Sequence, residues 1–332
     1  MKKTIAVSAV IAAAVLAAVV FYDGLFNKTS NIDFFSMNTY VSVKITGRES
    51  DECTKKIREI VDDLDVNVLS RTSEASVISS INKNGFGEID SRLSECFSML
   101  FDVCEKSAGA FDFTLGAVSD LWRFGSAPSI PEKTALDEAL SHSGYEKVSV
   151  SQNTVMKSDN SAVLDFGASG KGIALDYVKE YLEKCNVKNA VVSVGGSTLL
   201  YGKKDFTVGI RNPEGTAGSY IAKIHMNQGC VSSSGSYEQF FEENGKRYHH
   251  ILNPETGYPV DNGLVGVTIV SQSGLLSDAL STACFVLGIE KGSALAREYG
   301  CTAVFITENK KIYVEGDADI LEITDNTYSY GN

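Results

Sequence analysis

The sequence contains few prolines, few histidines and fewer basic than acidic residues. Its 332 residues include 5 prolines and 4 histidines, and 30 Lys and Arg stand against 42 Asp and Glu, which gives a net charge of −12. The low proline content excludes a proline-rich linker protein. The acidic balance argues against nucleic-acid binding, which depends on clustered Lys and Arg. With 43% hydrophobic and 22% charged residues, the composition is that of a globular protein with a core.

Several short motifs of known chemistry are also absent. The chain has no GxxxxGK[ST] phosphate-binding loop and no GxSxG nucleophile elbow. Its cysteines form no CxxC pair, so the sequence supports neither a zinc motif nor a redox motif. We expect them to be mostly buried and reduced, because several fall on apolar helical faces. The seven cysteines are Cys53, Cys96, Cys104, Cys185, Cys230, Cys284 and Cys301.

The N-terminus carries two lysines followed by an uncharged apolar run over residues 4–22. This run is long for a signal peptide and close to the ~20 residues that span a bilayer. A cleaved signal peptide and an uncleaved anchor both fit. We expect residues 1–30 to be an anchor and tether, and residues 31–330 to be one domain on the extracytoplasmic side of the cell membrane.

Hydrophobic periodicity predicts an α+β fold. The clearest helix has a continuous apolar stripe formed by Leu93, Cys96, Phe97, Leu100, Phe101 and Cys104. Other helices are expected near residues 51–64, 131–142, 171–182, 275–287 and 291–299. Strands are expected near 34–45, 147–150, 162–165, 190–194, 206–210, 220–226, 265–270, 303–306 and 311–314. Helices and strands do not alternate as βαβ units, which favours α+β over a doubly wound fold.

Two glycine-containing segments could bind a planar, phosphorylated ligand. Residues 109–114 read GAFDFT, in which Phe111 could stack on a ring and Asp112 could accept hydrogen bonds; a helix cap with core aromatics is the simpler interpretation. Residues 164–172 read LDFGASGKG and join a strand to a helix with Lys171 at its start. Such a turn offers backbone amides and a positive helix end to phosphate, although tight packing alone also explains the glycines.

Two of the four histidines are adjacent, at His249 and His250. In a strand their side chains point to opposite sides, so at most one faces a given site. His250 is the candidate base, and His249 is expected to have a structural or surface role.

Asp278 and Thr282 are four residues apart on a predicted helix and share one face. A carboxylate and a hydroxyl at this spacing suit Mg²⁺, which prefers oxygen ligands. An Asp that stabilises the helix dipole, with Thr282 bonded to the preceding turn, explains the same residues.

Several motifs in one order resemble the ApbE family of FAD:protein FMN transferases. They are Met37-x-Thr39, AFDFT at 110–114, LDFGASGKG at 164–172, VGG at 194–196, SSG, HHILNPETG and SDALST. The resemblance implies a single T-fold-like α+β domain. It also implies Mg²⁺-dependent transfer of FMN from FAD to a Thr or Ser hydroxyl of a target protein, with release of AMP. The expected acceptor is the FMN-binding domain of a membrane or extracellular redox protein.

The resemblance also implies roles for individual residues. The expected FAD contacts are Met37, Ala110, Phe111, Asp112, Asp165, Lys171 and Ile251. The expected metal ligands are the Ala168 carbonyl, Asp278, Ser281 and Thr282. His250 is the expected base, with Asp278 as its rival.

The sequence departs from the family's pattern at three positions, which are Asn38, Thr72 and Asn253. These changes put contacts near the flavin and adenine in question and leave the metal motif intact. Two other functions fit the same residues: a Mg²⁺-dependent FAD pyrophosphatase and a non-catalytic flavin-binding protein. A serine hydrolase built on Ser234 and His250 is the least favoured interpretation.

Overall fold

A computed structural model of the chain describes residues 27–216 and 218–331. The apolar run predicted as an anchor lies outside these residues. The strands are Lys28–Ser36 (β1), Thr39–Gly47 (β2), Phe86–Glu88 (β3), Val148–Ser151 (β4), Thr154–Lys157 (β5), Val187–Val194 (β6), Ser197–Gly202 (β7), Phe206–Arg211 (β8), Tyr220–Met226 (β9), Gly229–Gly235 (β10), Phe240–Glu243 (β11), Lys246–His249 (β12), Leu264–Ser271 (β13), Thr302–Thr307 (β14), Lys311–Glu315 (β15), Leu321–Ile323 (β16) and Ser329–Tyr330 (β17). The α-helices are Ser50–Asp63 (α1), Val77–Asn84 (α2), Ser91–Lys106 (α3), Gly116–Trp122 (α4), Lys133–His142 (α5), Gly170–Glu183 (α6) and Gly274–Glu298 (α7).

A nine-stranded sheet in the order β1-β2-β6-β7-β10-β13-β14-β15-β17 is the framework of the domain. Its strand pairs are antiparallel except for β15 and β17, which are parallel. Smaller sheets have the orders β16-β9-β8, β3-β5-β4 and β11-β12. Helices and antiparallel strands mixed in this way confirm the predicted α+β class.

The large sheet is covered on both faces. Helices α1 and α6 pack on its β1, β2, β6 and β7 strands, and α7 packs on β10 and β13. The β16-β9-β8 sheet packs on the opposite face. Successive side chains of strand β10 point to opposite faces of the sheet. Cys230 lies in the core under the helices, and the next residue, Val231, lies in the core under the small sheet.

Helix α7 is the core helix of the domain. Among the described residues it is the one helix long and apolar enough to cross a membrane, but half of its most apolar window is buried inside the protein. A left-handed Gly288, with φ of 78°, divides it where two separate helices were predicted. Its length therefore reflects two helices joined through a kink, with many of their residues in the core.

Several strands differ from the sequence predictions. The single strand expected at 34–45 is the β1–β2 hairpin, because Met37 and Asn38 both adopt positive φ (52° and 54°) in a two-residue turn. β1 begins at Lys28, inside the segment assigned to the tether. The strand expected at 162–165 is reduced to one bridge from Val163 to Leu115. Eight strands were not predicted: β3, β5, β7, β10, β11, β12, β16 and β17.

Helices α6 and α7 cross at very close range through two glycines. A Cβ atom on Gly172 would lie 2.1 Å from the Gly274 carbonyl oxygen, and one on Gly274 would lie 2.4 Å from the Gly172 oxygen. Backbone therefore meets backbone at the crossing, which any larger residue would prevent.

Replacing Gly172 by Ala is expected to destabilise the protein. The added methyl group meets main-chain atoms that cannot move aside, so we expect a loss of about 1–3 kcal/mol in the free energy of unfolding, measured by urea denaturation. Gly170→Ala in the same helix is the control, because the nearest atom to its Cβ would be the flexible end of Met37, at 3.4 Å. Equal stability of the two variants would contradict the close crossing.

Candidate functional site

Asp278 carries a buried carboxylate on the second turn of α7, with only 3% of the residue exposed. Its Oδ2 accepts a hydrogen bond from the Gly172 amide (2.9 Å), and its Oδ1 accepts one from the Ser197 hydroxyl (3.1 Å). The Lys171 ammonium lies 3.6 Å from Oδ1. A buried carboxylate is costly unless it is paired and hydrogen-bonded. The three groups together hold this negative charge at the start of α6.

A row of hydroxyl groups from β10 faces the same side of α7. The Ser232 Oγ lies 2.8 Å from the Ser277 Oγ. One turn further along, the Ser234 Oγ lies 2.7 Å from the Ser281 Oγ and 3.2 Å from the Thr282 Oγ1. These groups satisfy one another inside the protein. The arrangement places several oxygen atoms on the helix face that also carries Asp278.

The predicted metal ligands on α7 differ in accessibility. Ser281 is fully buried, and its hydroxyl donates back to the Asp278 carbonyl (2.8 Å). Thr282 is partly exposed, and its hydroxyl contacts only Ser234 among the described side chains. Thr282 therefore presents its hydroxyl oxygen more readily than Ser281 does.

The glycine-rich turn ahead of α6 is shaped by Asp165. Its Oδ1 accepts the Gly167 amide (2.8 Å), and its Oδ2 pairs with the Arg71 guanidinium (3.1 Å). The Asp165 amide donates to the Phe113 carbonyl (2.8 Å), which joins the turn to the AFDFT segment. Lys171 donates to the Gly167 carbonyl (3.0 Å). Asp165 thus has a clear role in shaping the turn, beside its predicted contact with FAD.

Ala168 lies at the tip of this turn, ahead of the first helical hydrogen bond, from Ile173 to Ser169. The Gly172 amide, which a longer helix would direct at the Ala168 carbonyl, donates to Asp278 instead. The pairing of Ala168 and Asp278 at one metal site stays a prediction.

Two buried side-chain polar atoms have no hydrogen-bond partner within residues 27–216 and 218–331. They are the Ser169 Oγ and the His250 Nδ1. Unsatisfied buried polar groups are rare and call for an explanation such as a bound ligand. Both atoms belong to motifs that the sequence assigns to FAD binding.

The two histidine side chains have different surroundings. His249 is 6% exposed; its Nε2 contacts the Val260 carbonyl (2.9 Å) and its Nδ1 accepts the Ile251 amide (3.3 Å). His249 is therefore structural. His250 follows the end of β12 and donates its amide to the Gln239 carbonyl (3.0 Å). Burial, with a smaller contribution from the nearby Lys171 charge, lowers the pKa of His250 to about 4.

Three predicted FAD contacts are engaged within the protein. Phe111 and Ile251 are 2% and 4% exposed and lie in the main core. The Asp112 Oδ1 accepts bonds from the Thr114 amide and hydroxyl, and its Oδ2 accepts the Tyr145 amide (3.1 Å). Burial raises the pKa of Asp112. Both Asp112 oxygens therefore accept hydrogen bonds that stabilise a loop. This agrees with the interpretation of GAFDFT as a structural segment.

Met37 and Ala110 lie in exposed turns that border the site. The Met37 side chain extends toward Gly170 at the start of α6, and its amide donates to the Asp65 carboxylate (2.6 Å). Ala110 is partly exposed in the turn after α3, where its amide donates to the Ser107 carbonyl (3.1 Å). Met37 is thus close to the glycine-rich turn, as a flavin contact would require.

A cavity of about 840 Å³ lies elsewhere, between the β11–β12 hairpin and residues 258–265. None of the predicted site residues lines it. The predicted site residues lie around Asp278 and the glycine-rich turn, so this cavity is not the candidate site.

Sequence reasoning missed the residues that hold Asp278 in place. Ser197 follows the glycine pair of the VGG motif and reaches Asp278 from β7. Ser232 and Ser277 extend the hydroxyl row. The only available signal was the serine-rich segment 232–236, which was examined for a nucleophile and not for a strand facing a helix.

Comparisons with known proteins show which family the chain resembles. The family model described as the ApbE family matches residues 37–305. A protein of Treponema pallidum named FAD:protein FMN transferase is 34% identical over 269 residues, covering 74% of each chain. One of Haemophilus influenzae with the same name is 30% identical and covers 80% of this chain and 81% of its own.

Solved structures show the same fold. The ApbE protein of Thermotoga maritima is 28% identical, with a TM-score of 0.77 over 90% of this chain and 98% of its own. The flavinyl transferase ApbE of Pseudomonas stutzeri is 26% identical, with a TM-score of 0.75 over 90% and 95%.

The His250 imidazole is expected to stay neutral well below neutral pH. Burial disfavours the charged form, so the group should be mostly deprotonated at about pH 5.5, above its pKa of about 4. Proton NMR would follow the imidazole resonance that is missing in the His250→Gln variant. A midpoint at or above the usual value near 6.5 would show that the ring is solvated.

Proposed function

The chain belongs to the ApbE family, and we propose that it is a Mg²⁺-dependent FAD:protein FMN transferase. It is an enzyme of the transferase class, as its named relatives are. The proposed reaction moves FMN from FAD to a Thr or Ser hydroxyl of another protein and releases AMP.

The observation that carries this proposal is the buried Asp278 carboxylate at the N-terminal end of α6. A helix N-terminus with a lysine beside it favours phosphate groups. A carboxylate at the same place would repel phosphate unless a cation lies between them. The two features together fit a diphosphate bound with a divalent cation.

The donor groups fit Mg²⁺. Asp278, Thr282 and the Ala168 carbonyl offer only oxygen atoms, which this ion prefers. At present the Lys171 ammonium, 3.6 Å away, is the cation that faces the carboxylate. When bound, Mg²⁺ would neutralise charge on the diphosphate and on the departing phosphate.

The protein's own groups would position FAD. Amide groups of the glycine-rich turn and the Lys171 ammonium would hold the diphosphate, and the Ser169 hydroxyl, buried and unpartnered, would donate to it. Met37, beside Gly170, would contact the flavin at the mouth of the site. Positioning and charge neutralisation are the main requirements of phosphoryl-group chemistry.

The transfer step is a substitution at the FMN-side phosphorus. The acceptor hydroxyl oxygen forms the new P–O bond, the bond to the bridging oxygen breaks, and AMP leaves with that oxygen. His250 would accept the hydroxyl proton. A pKa of about 4 makes its imidazole neutral but weakly basic. Bound diphosphate would raise this pKa, because its negative charge offsets the effect of Lys171.

The proposed acceptor is the FMN-binding domain of a membrane or extracellular redox protein. The N-terminal apolar run would hold the enzyme at the membrane with its domain on the extracytoplasmic side, close to such a target. The sequence of residues 1–30 and the family membership support this placement.

Replacing Asp278 by Asn should remove Mg²⁺-dependent transfer. The amide keeps the shape of the side chain and loses the charge that attracts the cation, so we expect at least a ~100-fold slower reaction. Intact mass of an acceptor domain incubated with FAD and Mg²⁺ reports the FMN adduct. Asp137→Asn, on the exposed face of α5, is the matched control. Full activity of Asp278→Asn at low Mg²⁺ would refute the assignment.

Replacing His250 by Ala should slow transfer by about 10²–10⁴-fold, the usual contribution of a general base, while FAD still binds. His225→Ala, which changes an exposed histidine, is the control. A wild-type rate would exclude His250 as the base. If the wild-type enzyme and its variants release free FMN and form no protein adduct with any acceptor tested, the pyrophosphatase is favoured. FAD binding without any turnover would favour the non-catalytic flavin-binding protein.

A further inference from the structure

Three potential metal ligands meet at the opposite end of α6 from the Asp278 site. They are the Glu49 carboxylate and the thiols of Cys53 and Cys185, whose ligand atoms all lie within 4.8 Å of one another. Cys53 is buried, Cys185 is partly exposed and Glu49 is exposed. The cluster therefore has both a protected side and an open side.

The surrounding backbone fixes these ligands in place. Glu49 precedes α1, and Cys53 lies one turn later with its amide bonded to the Glu49 carbonyl (2.9 Å). Cys185 follows α6. The next residue, Asn186, donates its amide to the Glu49 carboxylate (2.9 Å) and accepts the Arg48 amide at its carbonyl (3.1 Å). The segment before α1 and the segment after α6 are thus tied together at the cluster.

Both thiols also contact Tyr181 on the last turn of α6. The Tyr181 hydroxyl lies 3.9 Å from the Cys53 Sγ. The Cys185 Sγ lies 3.3 Å from the Tyr181 carbonyl. Groups one step beyond the ligands commonly orient them and tune their affinity.

We propose that Glu49, Cys53 and Cys185 form a binding site for a thiophilic divalent cation of the zinc class. Zinc binds Cys thiolates and Glu carboxylates, and three such ligands leave a tetrahedral fourth position for water. Two thiolates on a tetrahedral ion with ~2.3 Å bonds lie about 3.8 Å apart. The sulfur atoms of Cys53 and Cys185 lie at most 4.8 Å apart, so metal binding would bring them closer together by about 1 Å at most.

Metal binding at the cluster would compete with protons. Burial, together with the neighbouring Cys185 and the Glu49 charge, raises the pKa of the Cys53 thiol to about 12. A divalent ion reverses this effect and displaces the thiol protons, so binding releases protons and strengthens as pH rises.

The site would act as a clamp between α1 and α6. These helices pack together on the sheet through Cys53, Ile57, Val178 and Leu182. Backbone and side-chain contacts join their termini at the cluster. The ligands share no residue with the Asp278 site and are chemically different, since Mg²⁺ prefers oxygen. The proposal therefore does not depend on the proposed transferase activity.

Cobalt titration of the full-length, reduced and metal-stripped protein tests the site. Co²⁺ substitutes for zinc and gives an absorption band from thiolate-to-metal charge transfer. We expect one such Co²⁺ per chain, displaced by Zn²⁺ and unaffected by excess Mg²⁺. Cys185→Ser should weaken cobalt binding by more than about 100-fold and Glu49→Gln by at least about 10-fold, because even the loss of an outer contact costs ~10–100-fold.

The variants are chosen so that folding does not decide the result. Cys185 and Glu49 are accessible, so their replacement leaves the core intact. Cys301→Ser and Glu52→Gln are matched controls that should bind as wild type, and Asp278→Asn should also keep the band. The proposal is overturned if the reduced wild type gives no thiolate band, including after reduction of a Cys53–Cys185 disulfide. It is equally overturned if Cys185→Ser gives the same band at the same affinity.

Discussion

The contact between the Gly172 amide and the Asp278 carboxylate is the interaction on which the candidate site depends. It exists because α6 and α7 cross with glycine facing glycine, so that the start of one helix reaches a side chain on the other. The same contact brings Lys171 and the glycine-rich turn to a buried negative charge. A helix N-terminus, a cation and a carboxylate are thereby held within one small volume on rigid elements.

Strands of the large sheet also contact α7 around Asp278. Ser197 reaches Asp278 from β7, and the β10 hydroxyls at Ser232 and Ser234 pair with α7. A polar interface between a central strand and the core helix is unusual, because such positions are normally apolar. Here each hydroxyl finds a partner, which keeps the interface stable and leaves oxygen atoms next to the exposed Thr282. The polar row is consistent with a site built for a hard cation.

The sequence predicted five of the seven α-helices, with α7 as two separate helices, and missed α2, α4 and the serine-rich strand β10. The stripe in α3 and the start of α6 follow from apolar spacing and from glycine and lysine positions. β10 was missed because its GCVSSSG sequence has little β-propensity, and only its position between β7 and β13 makes it a strand. The Met37–Asn38 turn was missed because neither residue is glycine, although Asn tolerates positive φ.

In the candidate site, too, some features could be predicted from the sequence and others could not. The order of motifs identified the family, and the spacing of Asp278 and Thr282 identified their shared helix face. The role of Asp112 could not be read from its motif, because one of its partners is the Tyr145 amide, 33 residues away in sequence. The Glu49, Cys53 and Cys185 cluster was invisible for the same reason, since its two cysteines are far apart in the chain.

The most direct test of the central claim is a crystal structure of the protein grown with FAD and Mn²⁺ in place of Mg²⁺. Anomalous scattering locates the manganese independently of the chain. We expect the peak within bonding distance of the Asp278 carboxylate and the Thr282 hydroxyl, with the FAD diphosphate against the start of α6. A diphosphate bound elsewhere, with no manganese at Asp278, would contradict the account.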